Sequence, residues 1–286
     1  MAKRLVENNF TVEGFDIRKS AVEESGIAYS SSIAQACTAD AVFLSLPSSR
    51  EVENTFKEKG GILDSGKPGL VVVDMTTSEA HSTQKLYSLA EKRGISLVDA
   101  PISGGPEPAD SGKLTIMVGG SEEAIRHVRP VLEKLGSTIY YLGESGNGHA
   151  AKTVNNFLNA VNLAATAEAM VLGVQYGLDP SELRSVINNS SGRNWASEVR
   201  FEHILAGNYQ EGALKTNLMK KDLDVYLTLA EAQEAPTFLA KPALDVYKRA
   251  AENGHGEKPA NYVVDFIGDL AGGIRMQKKE TTKPSR

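Results

Sequence analysis

A chain of 286 residues, 41% apolar and 23% charged, has the make-up of a globular protein long enough for two cores. A net charge of −5 gives no electrostatic footing for nucleic acid or an anionic membrane. The lone cysteine, Cys37, excludes an internal disulfide framework and a cysteine-rich zinc site, and the five histidines lack metal-ligand spacing, so no metal is implied.

Taken in chain order, "MAKRLVENNF" opens inside a helical pattern with no residue ahead of it to cap the helix. Strand patterns follow at 10–15, 41–47, 69–75, 95–101, 114–120 and 138–143, with helical stretches at 19–25, 32–37, 52–59 and 78–93. Continuous valine, leucine and isoleucine runs between amphipathic helices predict a mainly parallel sheet covered on both faces. Such sheets bind ligands at the carboxyl ends of their strands. Those ends are Asp16, Leu46-Pro47, 74–77 and 99–105, rich in Asp, Ser, Thr, Pro and Gly. They read either as a cofactor crevice or as turn residues. No apolar run reads as long enough to cross a bilayer, and no signal-peptide pattern is found, which suits a cytoplasmic protein. A transit peptide lost with an earlier segment would make it mitochondrial instead.

Asp16 ends the second strand of what would be a dinucleotide fold. There an acid accepts hydrogen bonds from the adenosine ribose and repels a 2′-phosphate, which favours NAD over NADP. Arg18 and Lys19 pull the other way, and a plain helix-start aspartate is the alternative. No G-x-G-x-x-G stretch precedes Asp16. It belongs roughly 20 residues earlier, a count that falls before Met1. The phosphate loop is therefore expected to be missing from the chain as written.

From His149 onward the pattern turns helical: one long segment at 150–176, then 180–188, 215–235, 239–253 and 260–271. The expected division is a cofactor unit over 1–146, a helical unit over 147–274 and a basic disordered tail over 275–286. At the boundary, "GNGHAAKTVNN" puts Lys152 and Asn156 one helical turn apart on a shared face. Lys152 reads as a solvated surface lysine or as a proton donor with an amide positioner. Ser103, Gly104 and Gly105 read as a turn, or as a hydroxyl with closely spaced N–H groups suited to a carboxylate.

The stretches "FDIR", "LSLPSS", "VVVDMTTSEA", "DAPISGG", "GKLTIMVGG", "GNGHAAKTVNN", "SSGRNW" and "KKDL" occur in order along nearly the whole chain. In them the chain resembles the β-hydroxyacid dehydrogenases of the 3-hydroxyisobutyrate type. The resemblance implies a Rossmann-type doubly wound sheet, here lacking its first strand, followed by a helical domain built on a long interdomain helix. It implies reversible NAD-linked oxidation of a short 3-hydroxy acid to its semialdehyde or keto form. In that scheme Lys152 moves the hydroxyl proton, and Asn156, Ser103, Gly104 and Gly105 bind the substrate. Leu46, Pro47, Thr77 and Lys221 match positions on the nicotinamide side, Asp222 follows in the same motif, and the helical domains pair into homodimers or homotetramers.

Pro108 departs from the family pattern and is expected to reshape the loop over the substrate. Three other readings stand beside this one. A threonate-type sugar-acid dehydrogenase is suggested by "EVRFEHILAGNY", and a cofactor-deficient, non-catalytic member by the absent phosphate loop. An imine reductase would instead carry an acidic or aromatic residue at position 152.

Overall fold

The computed structural model describes residues 1–210 and 214–277. Its contacts divide the chain into two units, Met1–Thr153 and Val154–Arg286. Most of the tail expected at 275–286 lies outside the described residues.

The first unit alternates short strands and helices: α1 (Ala2–Glu7), β1 (Glu13–Gly14), α2 (Lys19–Ser25), β2 (Ala28–Tyr29), α3 (Ile33–Ala36), β3 (Ala41–Leu44), α4 (Ser49–Lys57), α5 (Ile62–Ser65), β4 (Val71–Asp74), α6 (Ala80–Glu91), β5 (Ser96–Asp99), β6 (Ile102–Ser103), α7 (Pro106–Ser111), β7 (Leu114–Val118), α8 (Glu122–Leu135) and β8 (Gly136–Tyr141). Most pairings are parallel, but the strands form three sheets: β1–β2, β3–β4–β5, and β6–β7–β8. Within the last, β6 runs antiparallel to β7. The strand expected over 10–15 shrinks to Glu13–Gly14.

β4 shows why the valine run reads as a central strand. Val71 and Val73 face one core with Val98, Ile116, Val118 and α8, while Val72 faces another with Leu44, Phe56, Leu86, Leu97 and Cys37. Alternate side chains leave opposite faces of a strand, so a strand covered on both sides must be apolar throughout. α8 lies outside the stretches read as helical. Its Ile125, Val128, Leu132 and Leu135 are buried at helical spacing, each side chain contributing about 1.5–3 kcal/mol. Pro130 sits inside this helix, and an interior proline ordinarily signals a helix end.

The proline-rich stretch after Gly105 forms a short helix. Pro106 takes the first position of α7, where no N–H is needed. Pro108 packs over Gly104, whose φ is +136°; a Cβ there would stand 2.9 Å from that of Pro108. Glycine is thus required at 104 by both backbone and space.

α9 (Asn147–Tyr176) begins in the first unit and supplies the spine of the second. By length and composition it could cross a membrane, contrary to the sequence reading. However, Ala160, Leu163, Ala164, Ala167, Met170 and Val171 are buried in the second unit's core. α10 (Pro180–Asn188), a π-helical turn (Ala196–Arg200), α11 (Phe201–Leu205), α12 (Thr216–Ala232), α13 (Ala240–Ala250), a kinked turn (Ala251–His255), a 3₁₀ turn (Ala260–Tyr262) and α14 (Val263–Leu270) complete that unit. Phe201, Ile204, Met219, Leu223, Tyr247 and Val263 fill the same core.

Candidate functional site

In the first unit the strand ends carry a buried polar network. Asp74 and Asp99 close β4 and β5 side by side in register, and both are almost fully buried. Asp74 accepts from the Thr76 amide at 2.9 Å and from the Ser78 hydroxyl at 3.1 Å. Asp99 accepts from the amides of Gly146 at 2.7 Å and His149 at 3.0 Å. The first N–H groups of a helix have no intrahelical acceptor, and Asp99 supplies one for the start of α9. These two acids therefore turn into the fold rather than toward a crevice. The approach is close enough that a Cβ on Gly148 would collide with the Met117 carbonyl and stand 2.8 Å from Asp99 Oδ2.

His149 is fully buried. Its Nε2 lies 2.9 Å from the Thr76 carbonyl and its Nδ1 2.7 Å from the Thr83 hydroxyl. A carbonyl only accepts, so Nε2 carries a proton and donates to Thr76, while Nδ1 pairs with the Thr83 hydroxyl, which also donates to the Glu79 carbonyl at 3.2 Å. The Thr76 hydroxyl in turn accepts from the Leu46 amide at 3.1 Å. The loops after β3 and β4, with Leu46, Pro47 and Thr77, are thus tied to the start of α9, which carries Lys152. Lys152 is 8% exposed, far from the solvated surface lysine that its position in an early helical turn allowed.

Ser103 lies in β6 and is half-buried, followed by the exposed Gly104 and Gly105, both at positive φ. Asp16 lies just past β1. Its carboxylate accepts from the Arg18 amide at 2.7 Å, with the Arg18 side chain at 3.9 Å. Lys19 pairs with Glu23 at 3.3 Å.

In the second unit α9 and α12 bring together three further residues. Asn156 donates to Asp222 Oδ2 at 2.7 Å, and Lys221 Nζ lies 3.8 Å from Asp222 Oδ1. Asn156 and Asp222 are each 6% exposed. Phe157 and Tyr226 stack beside them, ring centroids 4.1 Å apart, which fixes the two helices against each other. Asp222 was legible only as a neighbour in "KKDL"; its partnership with Asn156 spans 66 residues. Trp195 is 59% exposed. Among the described residues no group of His, Cys, Asp or Glu converges as metal ligands would.

The residues present have the chemistry to hold a dinucleotide. The Asp16 carboxylate is partly exposed with acceptor capacity left for ribose hydroxyls. The Leu46-Pro47 loop is fixed through Thr76.

Two family models match: the NAD binding domain of 6-phosphogluconate dehydrogenase over residues 1–143, and the NAD-binding of NADP-dependent 3-hydroxyisobutyrate dehydrogenase over 146–267. The chain is 35% identical over 276 residues to 2-(hydroxymethyl)glutarate dehydrogenase of Eubacterium barkeri, covering 95% of this chain and 92% of the relative. It is 36% identical to the NAD-dependent L-serine dehydrogenase of Pseudomonas aeruginosa, covering 92% of each. A solved structure of Mycobacterium tuberculosis 3-hydroxyisobutyrate dehydrogenase with L-serine superposes with a TM-score of 0.85 at 31% identity, covering 93% of this chain and 94% of that one. The chain has a Rossmann-like unit of parallel strands followed by a helical unit on a long helix, and it belongs to the β-hydroxyacid dehydrogenases, NAD-dependent oxidoreductases that act on a CH–OH group.

Proposed function

We propose that the chain interconverts a 3-hydroxy acid of the form HOCH₂–CHR–COO⁻ and its semialdehyde, with 3-hydroxyisobutyrate or a close analogue as substrate. The shared chemistry of the relatives supports this. Serine, 3-hydroxyisobutyrate and 2-(hydroxymethyl)glutarate, the compounds in their names, all carry a hydroxymethyl and a carboxylate on one carbon. The observation that carries the reading to this chain is the burial of Lys152 on a helix start held by Asp99.

In this scheme Ser103 and the backbone N–H groups at Gly104 and Gly105 take the carboxylate. Lys152 takes the hydroxyl proton during oxidation and returns it during reduction. Asn156, held by Asp222, orients the hydroxyl. Asp16 holds the adenosine ribose, and Leu46, Pro47, Thr77 and Lys221 line the nicotinamide side. The cofactor, when bound, accepts or supplies the hydride at nicotinamide C4.

The active form is a homodimer or homotetramer. Val154, Leu158, Leu172 and Tyr176 are exposed on one stripe of α9, the kind of apolar face that a second copy covers. Light scattering on Leu158→Glu should show dissociation, and a monomeric wild type would end that part of the reading.

The test of the reaction is NAD⁺ reduction with 3-hydroxyisobutyrate, serine and threonate, alongside Lys152→Ala. Loss of Lys152 should lower kcat by about 10²–10⁴-fold with NADH affinity unchanged. Wild-type rates in Lys152→Ala would sink the mechanism. Preference for threonate over both HOCH₂–CHR–COO⁻ compounds would replace the substrate class.

A further inference from the structure

We infer that His149 is a positioning residue that sets Lys152 and the nicotinamide-side loops in one fixed arrangement. The inference rests on the reading of Lys152 above. His149 has no exposed surface, and it makes three hydrogen bonds to three separate segments of the first unit. Its backbone N–H goes to Asp99 at the end of β5, Nε2 to the Thr76 carbonyl in the loop after β4, and Nδ1 to the Thr83 hydroxyl on α6. Asp74 Oδ2 stands 3.8 Å from Nε2 on the remaining side.

Lys152 follows one turn later on the same helix, so a rotation or slip of the first turn of α9 moves its amine directly. Thr76 is also the residue that holds the Leu46 amide. A change at His149 therefore reaches the loop carrying Leu46 and Pro47 as well as Thr77, the neighbour of Thr76. A side chain chosen only to fill this space would be apolar. The imidazole instead presents both ring nitrogens to fixed polar partners, which sets its orientation as well as its volume. Displacement of a catalytic group by about 1 Å can cost 10²-fold in rate, so the geometry held by this ring bears on turnover.

Three variants test the assignment. His149→Phe keeps the ring and removes both side-chain hydrogen bonds. His149→Gln restores one donor and one acceptor, and Thr83→Val removes only the Nδ1 partner. In His149→Phe, kcat should fall about 10–100-fold, and amides at 147–153 should exchange at least about tenfold faster. NADH affinity should weaken and KM for the hydroxy acid should change little. His149→Gln should stay within about threefold of wild type on every measure, and Thr83→Val should lie between.

Wild-type kcat and exchange in a folded His149→Phe would overturn the role. So would a His149→Gln as impaired as His149→Phe, since hydrogen bonding would then not be the cause. If His149→Phe does not fold, Thr83→Val decides: unchanged kcat and exchange overturn the role, and a joint change supports it. Turnover by Lys152→Ala would instead remove the reading of Lys152, an outcome separate from any result at His149.

Discussion

Two sets of buried charges, the Asp74–Asp99 pair of the first unit and Arg200 of the second, are met in opposite ways. In the first, Asp74 and Asp99 lie inside the fold and are met by amide and hydroxyl donors. In the second, the buried guanidinium of Arg200 donates to the side-chain oxygens of Asn261 at 3.0 Å and Asn159 at 3.3 Å. Among the described residues its Nε is buried without an acceptor, and burial lowers its pKa from the ordinary arginine value. A carboxylate that accepts from backbone N–H groups removes a cost the fold would otherwise carry, because those donors at a helix start need partners. Among the described residues this cation is answered by neutral oxygens, and it keeps much of its own desolvation cost. The acids of the first unit should therefore be costly to lose and the arginine of the second cheap to replace.

The largest effect is expected at Asp99. Asp99→Ala leaves the Gly146 and His149 amides without their acceptor and should cost about 3–5 kcal/mol in denaturant unfolding. Asp99→Asn, which keeps one oxygen, should recover part of that. At Asp222, a charged acceptor for a side-chain amide, Asp222→Ala should cost about 1–3 kcal/mol and raise KM for the hydroxy acid through a loosened Asn156. Arg200→Met should change stability by less than about 1.5 kcal/mol in either direction. A loss above that of Asp99→Ala would break the contrast.

The smallest effect concerns His255. Burial, with Lys258 adding, holds its imidazole below the ordinary histidine range. A lowered folded-state pKa means the unfolded chain binds the proton more readily. The stability tied to His255 is complete above about pH 6.5 and is lost as pH falls below that. Thermal midpoints between pH 7.5 and 5.5 should fall further for wild type than for His255→Gln, by no more than about 2 °C. The reverse order would show that the group gains a partner on protonation.

Much of this was legible in the sequence, and the rest was hidden for physical reasons. β4 could be read because its valines, covered on both faces, run unbroken up to Asp74. The placing of Lys152 and Asn156 one turn apart on a single helix could be read because that spacing is local. Asp222 could not be placed against Asn156 by any periodicity, since the contact depends on how α9 and α12 pack. α8 was hidden by Pro130, although its apolar spacing runs through the proline. β2 and β6, two residues each, are too short for alternation to register. Asp74 and Asp99 carried a real signal, polarity at the end of an apolar run. That signal does not say which way a side chain turns. The unpaired amides at the start of α9 draw Asp99 inward, and Thr76 and Ser78 do the same for Asp74.

Cys37 gives the molecule a built-in clock. It is the one thiol in the chain, 3% exposed in the core shared with Phe56 and Leu97, and burial raises its pKa. The thiolate is the reactive form, so a thiol reagent must wait for that core to part before it can label the protein. The labelling rate then measures how often the first unit opens. Added NADH should slow the labelling in proportion to the affinity of that unit for it.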